Sequence, residues 1–430
     1  MSLPSMVRGF RPWTLLAVLL MGAVAGAQGP SSANYDESKV GHYTLPDPLV
    51  FNDGRRVRTA GDWEKRRRPE ILALFEANVF GRSPRPPRRV AFHVFDSEKG
   101  ALGGKALRKQ VSIYFSSRQD GPHEDLLIYI PAGAPQPVPV ILALNFSGNQ
   151  AVINDPAIKL ATIWDRKTHQ PRQAPEDSRG RDPGFDVEKI LARGYAFATV
   201  CYQDIEPDFQ GGYPHGIRPL FLPAGESEPA PDAWGAIGAW AYGASRALDF
   251  LQTVREVDAK RVALLGHSRL GKTALWASAL DPRFALVIAS CPGEGGASLA
   301  RRNYGETIAN LVDVFPYWFC ANLRKYAPQV DQLPVDMHEL IALSAPRPVY
   351  VTAAQEDPWA DPKGEFLALV AAGPVYRLLG APDLGTDQMP PLNQPLLRTL
   401  AFHLRDGKHA VTAFDWDQFL AFADRHLRRH

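Results

Sequence analysis

The sequence predicts an α/β fold of three layers: a mainly parallel central sheet with antiparallel strands at its amino-terminal end. Three observations point there. Short, continuously apolar runs at residues 138–144, 284–290 and 348–354 have the pattern of strands buried on both faces. Helical patterns at 233–254 and 270–280 alternate with such runs, as the crossovers of a parallel sheet require. Earlier runs at 111–115 and 126–130 are short and alternating, which suits antiparallel strands.

In chain order, Arg8 and Arg11 precede an apolar run over 13–24 and the small residues Ala25-Gly26-Ala27, the layout of a secretory signal peptide over 1–27. The apolar run is shorter than the roughly 20 residues needed to span a bilayer. Residues 28–47 are polar and small, a surface lead-in with no core of its own. Residues 63–79 carry apolar positions at helical spacing, and Pro84, Pro86 and Pro87 end that helix. Strand 138–144 feeds the polar turn Asn145-Phe146-Ser147-Gly148-Asn149, and residues 195–200 form another apolar strand. Residues 261–265 read as a strand leading to helix 270–280, and 400–404 as a final strand.

The length of 430 residues allows about three domains. No repeat or long flexible linker divides the chain, so residues 48–430 are expected to form one catalytic domain whose loops use the 38 prolines and 35 glycines. With 45% hydrophobic residues, a large core can form without disulfides or metals. Cys201, Cys291 and Cys320 permit one disulfide at most and lack zinc-site spacing. Lys and Arg total 48 against 46 Asp and Glu; removing residues 1–27 takes two arginines and leaves the signs balanced. That balance argues against a nucleic-acid partner. The chain is expected to be exported to the periplasm or beyond, free of the membrane after cleavage, and monomeric.

The chemistry centres on Gly266-His267-Ser268-Arg269-Leu270-Gly271, a serine on a turn between strand and helix. A nucleophilic serine needs such a turn to expose its hydroxyl, and flanking glycines let strand and helix approach closely. The position two after Ser268 is Leu270 rather than glycine, a departure from the general pattern. In this arrangement an acid and then a histidine follow the serine in sequence. His409 lies in a loop beyond the last strand, whereas His403 lies inside that strand and reads as structural; His338 and His430 are less suitable. Strand 348–354 runs into Gln355-Glu356-Asp357-Pro358-Trp359, making Asp357 the first choice of acid and Glu356 the second.

At Gly266-His267-Ser268-Arg269-Leu270-Gly271-Lys272 the chain resembles the glucuronoyl esterases, carbohydrate esterase family 15, in particular the bacterial branch. Further matching motifs are Asn145-Phe146-Ser147-Gly148-Asn149, Gly295-Gly296-Ala297, Arg301-Arg302-Asn303-Tyr304-Gly305-Glu306-Thr307 and Asp357-Pro358-Trp359-Ala360-Asp361-Pro362. The resemblance implies an α/β-hydrolase three-layer sandwich without metal or cofactor. It implies a serine esterase that cleaves (4-O-methyl-)glucuronic acid esters between xylan and lignin alcohols, with glucuronoxylan and lignin-carbohydrate esters as partners. It assigns Arg269 to the oxyanion hole and Lys272, Glu306 and Trp359 to uronate binding. The catalytic glutamate of the fungal type falls on Cys291 here, which supports Asp357 and leaves nearby Glu294 as a substitute. An acetyl or feruloyl esterase has less use for the cations Arg269 and Lys272. A non-catalytic carbohydrate-binding homologue has no use for an intact Ser268, His409 and Asp357.

Overall fold

Successive side chains on a β-strand point to opposite faces, and that alternation divides the apolar residues into two cores. Along one central strand, Val138, Val140, Leu142 and Leu144 enter the first core, while Ile141 and Ala143 enter the second. The computed structural model describes residues 33–428 apart from residues 88, 89, 117, 166 and 227. The signal peptide expected over 1–27, residues 28–32 of the lead-in and His430 lie outside them.

The strands are β1 (Ala91–Gly100), β2 (Ala106–Tyr114), β3 (His123–Pro131), β4 (Val138–Asn145), β5 (Thr162–Trp164), β6 (Pro171–Gln173), β7 (Ala196–Cys201), β8 (Val257–His267), β9 (Leu286–Ser290), β10 (Val349–Ala354), β11 (Leu396–Leu397) and β12 (Leu400–Arg405). Ten of them form one sheet in the order β1-β2-β3-β7-β4-β8-β9-β10-β12-β11; β5 and β6 pair apart as a ribbon. Pairing is antiparallel from β1 to β7, parallel from β7 through β12, and antiparallel again at the short edge strand β11. Helices Ala236–Leu251, Arg269–Leu280 and Pro362–Leu378 cover the first core. Helices Val187–Ala192 and Ala413–Leu427 cover the second. This is the expected α/β-hydrolase sandwich with antiparallel amino-terminal strands.

Several boundaries differ from those expected, for identifiable reasons. The helix expected over 233–254 spans Ala236–Leu251, because Asp232 and Ala233 bridge to Arg82 instead of entering it. Strand β8 begins at Val257, since its pairing with β4 extends back to Val138. The amino-terminal helix contains a π-helical turn, Trp63–Arg67, that buries Trp63 and Arg67. The lead-in lies on the surface but is not free of core contacts: Tyr43 and Leu45 pack against the first core. The three cysteines are buried free thiols. His403 is structural, with its ring between the Tyr350 hydroxyl at 2.6 Å and Asp415 at 2.9 Å. Among the described residues no helix is long and apolar enough to cross a membrane.

Leu142 is fully buried on β4, between β7 and β8. Leu142→Ala should cost about 2–5 kcal/mol in urea denaturation, the loss typical of a large cavity, while folded protein remains active at 25 °C.

Candidate active site

Strand β8 ends at His267, and helix Arg269–Leu280 starts two residues on, so the whole reversal falls on Ser268. Its backbone has φ +58° and ψ −129°, a conformation that side-chain-bearing residues rarely adopt. Gly266 makes the turn possible, because a Cβ there would lie 1.9 Å from the Leu270 carbonyl oxygen. At Gly271 the nearest atoms would be 3.2 Å away, and Leu270 itself fills the core. The close approach therefore occurs at Gly266, and a large residue at 270 is compatible with the turn. The Ser268 N–H donates to the Ser290 carbonyl at 2.8 Å, tying the turn to the end of β9.

Parallel pairing delivers the other candidates to the same sheet edge. Ala354 of β10 lies opposite Arg405 of β12, so the loops that follow run side by side; the Glu356 N–H donates to the Gly407 carbonyl at 3.0 Å. Within them Asp357 Oδ2 meets His409 Nδ1 at 2.6 Å. Glu356 is exposed, and Glu294 is buried with its Oε1 unpartnered, so Asp357 is the carboxylate hydrogen-bonded to the histidine. Burial raises the Glu294 carboxyl well above its ordinary range, which favours a neutral acid. Cys291 follows β9, and its sulfur lies within 4.8 Å of the nearest donor atoms of Asp357 and His409. These three could face a metal ion together. Burial, with the charges of Glu365 and Asp357, keeps Cys291 a thiol. His267 packs 4.5 Å from the His409 ring, and burial plus that neighbour push its pKa down and hold it neutral.

Arg269 points its guanidinium into an aromatic box, 4.7 Å from the Trp318 ring and 5.7 and 5.9 Å from Phe315 and Phe146. Its partner is Asp208, whose carboxylate also accepts from Trp318 Nε1 at 2.7 Å and from the hydroxyls of Tyr202 at 2.8 Å and Tyr317 at 2.9 Å. Burial alone would raise the Asp208 pKa; the Arg269 charge and these donors overcome it and leave the carboxyl below its ordinary range. Lys272 is buried one helical turn after Ser268 and donates to the carbonyls of Pro292 at 2.8 Å and Glu294 at 2.5 Å and to Glu306 Oε2 at 3.2 Å. Its three protons are thus occupied, and contact with a sugar hydroxyl requires sharing one of them. The Glu306 N–H donates to the Trp359 carbonyl at 2.8 Å, joining the two backbones, and Trp359 is half-buried.

Residues 229–380 match the family model described as glucuronyl esterase, fungi. A carbohydrate esterase from an unknown prokaryotic organism is 47% identical over 404 residues, covering 93% of each chain. The chain belongs to carbohydrate esterase family 15. Its members are carboxylic ester hydrolases, and this enzyme is an esterase of the α/β-hydrolase fold. A solved glucuronoyl esterase from Solibacter usitatus superposes with TM-score 0.89 at 49% identity, over 91% of this chain and all of the other. A structure described as a promiscuous family 15 esterase from a marine bacterial metagenome gives 0.85 at 46% identity, over 92% and 100%.

For this family 15 esterase, sequence reasoning did not find Asp208, Phe315, Tyr317 or Trp318. Asp208 stands in a loop 61 residues before Arg269, with no motif around it. An aspartate in an otherwise aromatic environment was the available signal, but the environment is assembled from distant segments.

Asp208→Asn should destabilise the protein by about 3 kcal/mol, because it strands a largely buried guanidinium. The sign of the pH effect follows from the lowered Asp208 pKa. The ion pair contributes fully above the ordinary carboxyl value of 3.8 and is lost as pH falls through the lower folded value. The difference in urea midpoint between parent and variant should therefore be greatest near neutrality and shrink below about pH 4; a difference independent of pH would contradict this assignment.

Proposed function

We propose that the enzyme hydrolyses esters joining the (4-O-methyl-)glucuronic acid groups of xylan to lignin alcohols, through an acyl-enzyme on Ser268. In this reading Ser268 Oγ attacks the uronoyl carbon while His409 takes the hydroxyl proton. Asp357, bonded to Nδ1, fixes the ring so that its other nitrogen can serve as the base, and stabilises the imidazolium that forms. The carbonyl electron pair moves onto oxygen, where the Arg269 N–H and guanidinium face the developing charge. Collapse breaks the bond to the alcohol oxygen, which leaves with the proton held by His409. Water then gives a proton to His409 as its oxygen attacks the acyl carbon; collapse breaks the bond to Ser268 Oγ, which takes that proton back from His409, and the uronic acid leaves.

The observation that carries this reading is the fixed cation on the residue that follows the nucleophile: the Arg269 guanidinium is held by Asp208 and three aromatic rings. Its position is set before substrate arrives, so little reorganisation accompanies the charge change. Glu306 offers an acceptor for sugar hydroxyls and Trp359 an apolar wall with an indole donor, while Lys272 holds Glu306 in place and can share a proton with the sugar. The relatives described as glucuronoyl esterases support the same substrate class. Residues 48–430 act in this proposal as one catalytic domain, exported by cleavage after Ala27; amino-terminal sequencing of secreted protein tests the cleavage point.

Purified enzyme should release alcohol from benzyl or methyl glucuronate, and Ser268→Ala should abolish that release. Asp357→Asn should lower kcat by about 10⁴-fold, the scale of losing the orienting acid, whereas Glu294→Gln should retain most of it. Turnover of acetylated xylan with none of glucuronate esters would overturn the substrate assignment. Loss confined to the Glu294 variant would overturn the choice of acid.

A further inference from the structure

The lead-in has an unusual set of attachments for a polar surface segment. The Asn34 carbonyl accepts the Gly305 N–H at 2.9 Å, and the Tyr35 carbonyl accepts the Tyr304 hydroxyl at 3.2 Å. The rings of Tyr35 and Tyr304 meet edge to face with centroids 6.2 Å apart. Glu37 bonds Arg302 Nη2 through both carboxylate oxygens, at 3.1 and 2.9 Å, and Lys363 Nζ at 2.8 Å. Arg302 is 2% exposed and reaches onward to Asp361 at 2.8 Å. Asp361 in turn caps helix Pro362–Leu378 by accepting the Gly364 N–H.

All these contacts converge on two segments, 302–306 and 358–363, the second leading into helix Pro362–Leu378. The first carries Glu306 and the second Trp359. Their mutual fit is close: a Cβ at Gly305, where φ is +64°, would lie 2.5 Å from the carbonyl oxygens of both Pro358 and Trp359. One residue later the Glu306 N–H joins the Trp359 carbonyl. Asn34 therefore holds the amide immediately before Glu306, and Glu37 neutralises and clamps the cations beside both segments. Ser268 and His409 lie on other connections, whereas Asp357 directly precedes the second segment and its carbonyl accepts the Ala360 N–H at 3.2 Å. Glu37 itself bonds Arg302 and Lys363 rather than Ser268, Arg269, Asp357 or His409.

We propose that residues 34–37 are a strap that positions the sugar-recognition residues Glu306 and Trp359, with Glu37 as its positioning residue. This rests on the function proposed above and extends it: a segment outside the catalytic strands sets affinity for the uronate while leaving the acyl-transfer machinery alone. Cleavage after Ala27 preserves the strap; trimming the polar lead-in removes it.

The test compares the exported chain with Glu37→Gln, Glu37→Asp and a chain starting at Lys39. Each is assayed on benzyl glucuronate and on an aryl acetate, which needs the nucleophile and oxyanion site but has no sugar. Glu37→Gln should raise KM for benzyl glucuronate about fivefold, the scale of a partly exposed charge contact, with kcat within about twofold. Glu37→Asp should return part of the loss. The shortened chain, lacking the backbone acceptors as well, should raise KM more than about tenfold. Aryl acetate turnover should stay within about twofold throughout. Hydrogen exchange at 303–307 should accelerate in Glu37→Gln and in the shortened chain. Unchanged KM in Glu37→Gln, or an equal loss on both esters, overturns the strap. If the shortened chain does not fold, Glu37→Gln decides alone. If the parent does not cleave glucuronate esters, the proposed substrate fails instead, and unchanged exchange at 303–307 in Glu37→Gln then overturns the strap.

Discussion

The left-handed backbone at Ser268 is the constraint from which the site follows. Compressing the passage from β8 to helix Arg269–Leu280 into one residue requires a neighbour without a side chain at Gly266 and a fixed acceptor on β9, the Ser290 carbonyl. Strain of this kind persists only where the surroundings over-determine it. Here a ten-stranded sheet and two apolar cores supply that rigidity. Because β8, β9, β10 and β12 run parallel, their carboxyl ends share one edge; Cys291, Asp357 and His409 meet there, and Ser268 follows β8 at the same edge. The fold thus makes a site from four connections by aligning strand ends, the general habit of parallel sheets.

Electrostatics at that edge is local. A chain whose charges nearly cancel creates no large steering field. Instead individual cations are immobilised: Arg269 by Asp208 and aromatic faces, Lys272 by two carbonyls and Glu306, Arg302 by Asp361 and Glu37. Burial has the opposite effect on carboxyls without such partners. Glu294 and Glu365 lie inside the protein with raised pKa values, and each has an unpartnered oxygen. Asp208, whose carboxylate is also largely buried, has its pKa lowered by the Arg269 charge and by hydrogen bonds from Trp318, Tyr202 and Tyr317. At Asp208 a facing cation and several donors together outweigh the effect of depth.

Much of this was legible in the residues. Continuous apolar runs gave the central strands because burial on both faces leaves no polar alternation to read. The elbow was legible because glycine, serine and glycine spaced across a strand-to-helix change reflect a steric demand confined to six residues. Strand ends were read less well, since pairing with a neighbouring strand, as between Val138 and Val257, decides where β8 begins. The choice of Asp357 over Glu356 followed from its position before proline and agrees with the hydrogen bond to His409. Polar composition marks the lead-in as a surface segment, yet polar residues are also what an ion pair such as Glu37 with Arg302 uses.

The alternation of strands and helices, the turn at Ser268 and the candidacy of His409 and Asp357 were set by local pattern, because each depends on residues within a short stretch of chain. Tertiary structure alone decided that Asp208 would hold Arg269 and that Glu37 would hold Arg302, partners 61 and 265 positions apart. Contacts of that kind leave no periodicity or spacing behind, for they exist only once the sheet has brought its loops to a common edge.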